Sequence, residues 1–159
     1  MGIVFIAYKN GEEFIRLTEH SITNIILSVE NLTIDAVAKS LAIEGIFNTD
    51  LIGEVPRPLL DEYGNQIVDE NGNPKFHLRE FDSVRMLVEW AFSHDVFDCY
   101  CDVSVVVNDA SGNLVNKKFY ECMFVTGYKE KYDENHTNGI FNIFMRERVL
   151  DMESDGVEV

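Results

Sequence analysis

The stretch from Cys99 to Arg148 constrains this chain more than any other, because nearly every residue outside its turns belongs to a run of period two. Successive side chains of an extended strand point to opposite faces, so alternating apolar and polar residues mark a strand with one dry face. Val103, Val105 and Val107 share one face of the first run, and Ser104, Val106 and Asn108 share the other. Ala110-Ser111-Gly112-Asn113 has the composition of a hairpin turn. Alternation resumes from Phe119 to Tyr132 and again from Gly139 to Val149, where Ile140, Asn142, Phe144 and Arg146 oppose Phe141, Ile143, Met145 and Glu147. The pattern predicts an antiparallel meander of about four strands.

Upstream, Ile3 to Tyr8 and Glu13 to Thr18 flank Asn10-Gly11, a pair suited to the two positive-φ positions of a type I′ turn, so the chain opens with a hairpin. Ser21 to Glu30 is a third strand-like run, and 31–35 reads as a turn or extended connection. Residues 35–47 (DAVAKSLAIEGIF) fit a short helix by propensity and a strand by alternation. Phe81 to Phe92 carries the one clear helical pattern. Val84, Leu87, Val88 and Ala91 fall at i, i+3, i+4 and i+7, with Asp82 or Ser83 as cap, Ser93-His94-Asp95 as terminator and Trp90 as a core anchor.

Between these segments, Asn48 to Arg79 holds all three prolines and two similar turn-rich pieces, Asp61-Glu62-Tyr63-Gly64-Asn65 and Asp69-Glu70-Asn71-Gly72-Asn73. It reads as a long loop or a small excursion hairpin around Gln66-Ile67-Val68, and long loops in compact domains are often functional. Asp69, Asn71, Asn73, Lys75, His77 and Glu80 match the spacing of a calcium-binding EF-hand loop. Pro74 stands where that loop needs glycine, however, Lys75 adds a positive charge and no helix precedes Asp69, so the turn reading is preferred.

A chain of 159 residues is long enough for one well-buried core, and we expect a single domain over 1–159, with an extended loop at 48–79 and an acidic tail at 150–159. No apolar run reaches the length of a membrane span, and the apolar N-terminal patch lacks the preceding basic residues of a signal peptide. Thirteen Lys and Arg against 28 Asp and Glu give a net charge of -15, a field that repels phosphate backbones and suits a basic partner face. Cys99, Cys101 and Cys122 lack zinc-knuckle spacing and read as small buried hydrophobes. His20, His77, His94 and His136 sit in or beside turns, with no two at metal-ligand spacing. No nucleophile elbow, P-loop or dinucleotide fingerprint occurs. We therefore expect no catalytic constellation, cofactor or metal.

Several segments together resemble the Hcp-like tube proteins of type VI secretion systems and the related tail-tube proteins of contractile phages. They are Ser40-Leu41-Ala42-Ile43-Glu44-Gly45, the helix with Met86-Leu87-Val88-Glu89-Trp90-Ala91, then Asp102-Val103-Ser104-Val105, 118–125, 128–132 and 139–146. The likeness covers about residues 21–149, leaving the opening hairpin and the acidic tail as departures. It implies a mainly β fold, a barrel of two packed antiparallel sheets with one flanking helix, and a strand at 35–47. It also implies a structural, non-enzymatic subunit that forms hexameric rings stacked into the hollow inner tube of a contractile injection machine, a conduit for effectors or nucleic acid. Sheath, baseplate and spike proteins and cargo would be its partners, without sequence-specific nucleic-acid binding or a membrane. Assembly would be cytoplasmic, with release as part of an injection particle.

In that reading the 48–79 loop reaches a neighbouring subunit, through Leu51, Val55, Leu59, Tyr63, Ile67, Val68 and Phe76. Two other readings stand beside it. One is a non-stacking adaptor or effector-carrier binding module on the same barrel, and the other an enzyme with a site built in the loop near Asp69 or His77.

Overall fold

The computed structural model describes residues 2–34, 37–93, 99–135 and 137–148. Its strands are β1 (Gly2–Lys9), β2 (Glu12–Thr18), β3 (Ile22–Asn31), β4 (Val37–Ile46), β5 (Cys101–Asn108), β6 (Leu114–Lys131) and β7 (Ile140–Glu147), with one helix, α1 (Glu80–Ala91). All seven strands form a single antiparallel sheet in the order β2-β1-β5-β6-β7-β4-β3. The opening turn is as the sequence requires, with Asn10 at φ 53° and Gly11 at φ 78°. Residues 37–46 are strand, their alternation prevailing over helix propensity because Leu41 and Ile43 face the core between β3 and β7.

This architecture corrects the expected barrel of two packed sheets. The sheet is open, and β6 is the reason it is not split. Its first half pairs with β5 from Leu114 to Met123, and its second half pairs with β7 from Met123 to Lys131. A strand shared in this way joins the β2-β1-β5 side to the β7-β4-β3 side. The same strand reduces the meander from four strands to three. Three irregularities bend β6 without ending it: Glu121 and Cys122 bulge opposite Asp102, a second shift falls between Val125 and Gly127, and a third leaves Val115 extra between the partners of Val107 and Asn108. At the first, Cys122 takes φ 53° and donates its N–H to Asp102 Oδ1 at 3.1 Å.

One core draws on every strand and on α1. Phe5, Leu17, Ile22, Leu41, Val103, Met123 and Ile143 are buried together with Val84, Leu87 and Trp90. Trp90 is oriented as well as buried, donating its indole N–H to the Cys99 carbonyl at 2.8 Å. The helix begins at Glu80, two residues before the expected cap, because both cap candidates are engaged elsewhere. Asp82 Oδ2 accepts from Arg79 Nε at 2.7 Å, and Ser83 Oγ accepts the Arg16 backbone N–H at 3.1 Å.

The segment between β4 and α1 is an arm that satisfies its own main chain. Three hydrogen bonds of 2.9 Å run in a ring: Leu59 N–H to the Lys75 carbonyl, Lys75 N–H to that of Ile67, and Ile67 N–H to that of Leu59. The corners are built from one device, Asp-x-x-Gly-Asn, used at 61–65 and 69–73 and again at 109–113 between β5 and β6. Each aspartate Oδ1 accepts the N–H groups two and four residues ahead at 2.9 Å, and each glycine sits at φ 82–85°. The spacing that matched a calcium loop is thus used for turns.

These bonds, led by the N–H of Asn73 to Asp69 and of Asn113 to Asp109, hold the two carboxyls below the usual aspartate range. A depressed folded-state value means that the turn is favoured above the ordinary aspartate pKa and loses that support as pH falls through the depressed value. Acid titration followed by NMR is expected to move the amide signals of Asn71, Asn73, Ser111 and Asn113 with midpoints below about 3.9. Midpoints at or above that value would remove the role given to these bonds.

His94, His136, the helix terminator at 94–95, Asp35, the final-strand residue Val149 and the acidic tail at 150–159 lie outside the described residues.

Candidate functional site

Among the described residues, no group of three or more His, Cys, Asp or Glu could hold a metal ion. The three cysteines differ in environment. Cys101 is buried and its thiol is pushed up to about 12 by that burial, Cys99 is half-buried, and Cys122 is exposed, against the expectation that all three are buried. Alkylation of the folded protein is expected to modify Cys122 and to reach Cys101 only after unfolding, as read by peptide mass spectrometry.

A cleft of about 550 Å³ lies between β2 and the arm. Phe14, Leu59, Ile67 and Phe76 form its apolar part. On its polar side Glu13 receives Arg16 Nη1 at 3.0 Å and lies 3.4 Å from His77 Nδ1. Ser83 lines the same cleft, but its Oγ accepts the Arg16 N–H, and among the described residues no base is bonded to it. These groups tie the arm to β2 and do not compose a nucleophile with an aligned base.

The seven loop residues expected at a subunit interface are dispersed. Leu59, Ile67 and Phe76 turn toward β2, and Leu51 sits half-buried in a short 3-10 turn (Thr49–Leu51) beside a second cleft along the same strand. Val55, Tyr63 and Val68 are exposed, and Ile67 and Phe76 remain exposed while lining the cleft.

The two edges of the sheet differ. At β2, α1 takes the outward main chain: Ser83 Oγ accepts from Arg16 N–H, and a Glu80 carboxylate oxygen accepts from Thr18 N–H. This explains why Glu80 and Ser83 are buried polar residues on an otherwise apolar helix face. The arm flanks the rest of that strand. At β3, among the described residues, only β4 pairs with the strand, over residues 22–31. Ile26 is 52% and Val29 66% exposed there, and Leu32 and Ile34 are exposed in the following turn. Ile25 and Leu27 reach the core but are only partly covered.

Unpaired strand edges are templates for another strand, and natural proteins usually blunt them with charge, proline or a covering element. β3 has a single irregularity near its start and no Lys, Arg, Asp, Glu or Pro from Ser21 to Val29. The absence of charge is visible in the sequence, but that this strand lies at an edge depends on the strand order. Compared with known proteins, the chain matches no family model and no curated protein.

Proposed function

We propose that this chain is a non-enzymatic protein-docking module that receives an extended strand of a protein partner along β3. The tube-subunit reading, and the adaptor reading built on the same barrel, are set aside because the single open sheet lacks the two-sheet barrel on which both depended. The observation that carries the proposal is the asymmetry of the edges. α1 and the arm cover β2, while β3, ten residues long with Ile26 and Val29 exposed, has an edge that no other strand pairs with among the described residues. In sheet addition the main chain supplies the hydrogen bonds and alternate side chains supply selectivity.

The test uses synthetic ten-residue peptides with alternating Ile, Val and Thr, followed by fluorescence anisotropy and amide hydrogen exchange. Binding with added protection confined to β3 is expected, and Ile26→Lys/Val29→Lys should abolish it while the fold is retained. Equal binding of proline-interrupted peptides, or protection elsewhere, would overturn the reading.

A further inference from the structure

We infer that the strand received at β3 is β3 of a second copy of this chain, forming a closed two-fold dimer in which two sheets run on as one. This rests on the docking role proposed for that edge and names its partner.

The first argument is topological. A head-to-tail assembly by sheet extension needs two free edges, and β2 is occupied by Ser83, Glu80 and the arm. The free edge of one copy can therefore meet only the same edge of another, which gives isologous, self-limiting association.

Charge is the second argument. Two molecules of net charge -15 repel one another over most of their surface. The stretch between His20 and Glu30 carries no formal charge, so an approach along β3 brings no like charges opposite each other within that stretch.

Register supplies the third. Around a two-fold axis an antiparallel pair must place one residue opposite itself, because hydrogen-bonded and non-hydrogen-bonded positions alternate. Centred on Ile26, the pairing sets Ile25 against Leu27 of the second copy on the core side. On the other side it sets Asn24 against Ser28 and Ile26 against itself. The partly covered Ile25 and Leu27 then continue the core across the junction. The two Glu30 residues stand at opposite ends of the pair, about 27 Å apart at the strand rise, beyond the reach of screened repulsion.

The experiment combines mass in solution with symmetric cross-linking. Sedimentation of the full chain should give twice the 18.2 kDa chain mass, and Ile26→Lys/Val29→Lys should return it to one. In a Cys122→Ser background, oxidised Ile26→Cys should form a disulfide dimer whose linked peptide maps to position 26. Asn24→Cys alone should not, because its counterpart lies four residues away. A dimer that survives the lysine substitutions, or a cross-link that forms equally at position 24, would overturn the inference. A single-chain mass at every soluble concentration would also overturn it. If strand peptides still protected β3 in that monomer, the docking role would stand with a different partner. If they did not, both would fall.

Discussion

Trp90→Ala is expected to lower the unfolding free energy by about 3–5 kcal/mol, read as a shift of the urea midpoint at unchanged slope. The indole is 5% exposed and lies in the core with Val84 and Leu87 from its own helix. Its removal leaves a void between α1 and the sheet that neither can collapse to fill. It also strips the Cys99 carbonyl of its 2.8 Å donor, at the point where the chain enters β5. Trp90→Phe separates the two effects by keeping much of the ring and losing the N–H. An intermediate loss would assign part of the cost to that hydrogen bond, and equal losses would assign the cost to the bond and the indole-specific volume alone. Near-neutral stability of the alanine variant would contradict the burial described.

The second large effect is expected at Gly45. Gly45 is paired with Phe141 across β4 and β7, and a Cβ there would fall on the Phe141 ring and 2.5 Å from the Ser21 carbonyl oxygen. That carbonyl already accepts the Ile46 N–H at 2.8 Å, so the backbone on that side is fixed. The ring covers the bare glycine backbone, an arrangement that offsets the low strand preference of glycine. Gly45→Ala should cost about 1–3 kcal/mol by overpacking, and Gly45→Val more. Phe141→Leu combined with Gly45→Ala should recover part of the loss, and a double variant no better than the single would place the strain at Ser21 instead.

Most elements were legible in the sequence because they depend on neighbours along the chain. Asn10-Gly11 specifies its hairpin by backbone conformation, and the buried sets Val103/Val105 and Phe141/Ile143/Met145 follow from period-two alternation. What was not legible depends on residues far apart. Nothing local to Ser83 reveals that the Arg16 N–H engages its Oγ, whereas the Arg79–Asp82 pair, three residues apart, is a local contact. The alternation of 119–132 does not say that one continuous strand serves two neighbours, and the resemblance to a two-sheet barrel failed at that strand. The edge position of β3 was hidden for the same reason. The loop residues expected at an interface share only their apolar character, and that Leu59, Ile67 and Phe76 line the cleft beside β2 depends on how the arm folds.

The shared strand also governs the order in which this molecule can be made. The hairpins β1–β2 and β3–β4 are synthesised first, yet the sheet partners they need are β5 and β7: Val4 pairs with Val106, and Ile43 pairs with Ile143. The first hairpin must wait for β5 and the second for β7, and the two sides join in one sheet only once β6 lies between them. Closing contacts across such sequence distances is slow, so a growing chain exposes its apolar strands for most of its synthesis. Truncation before residue 114 should thus yield not a smaller folded protein but a chain dependent on chaperones.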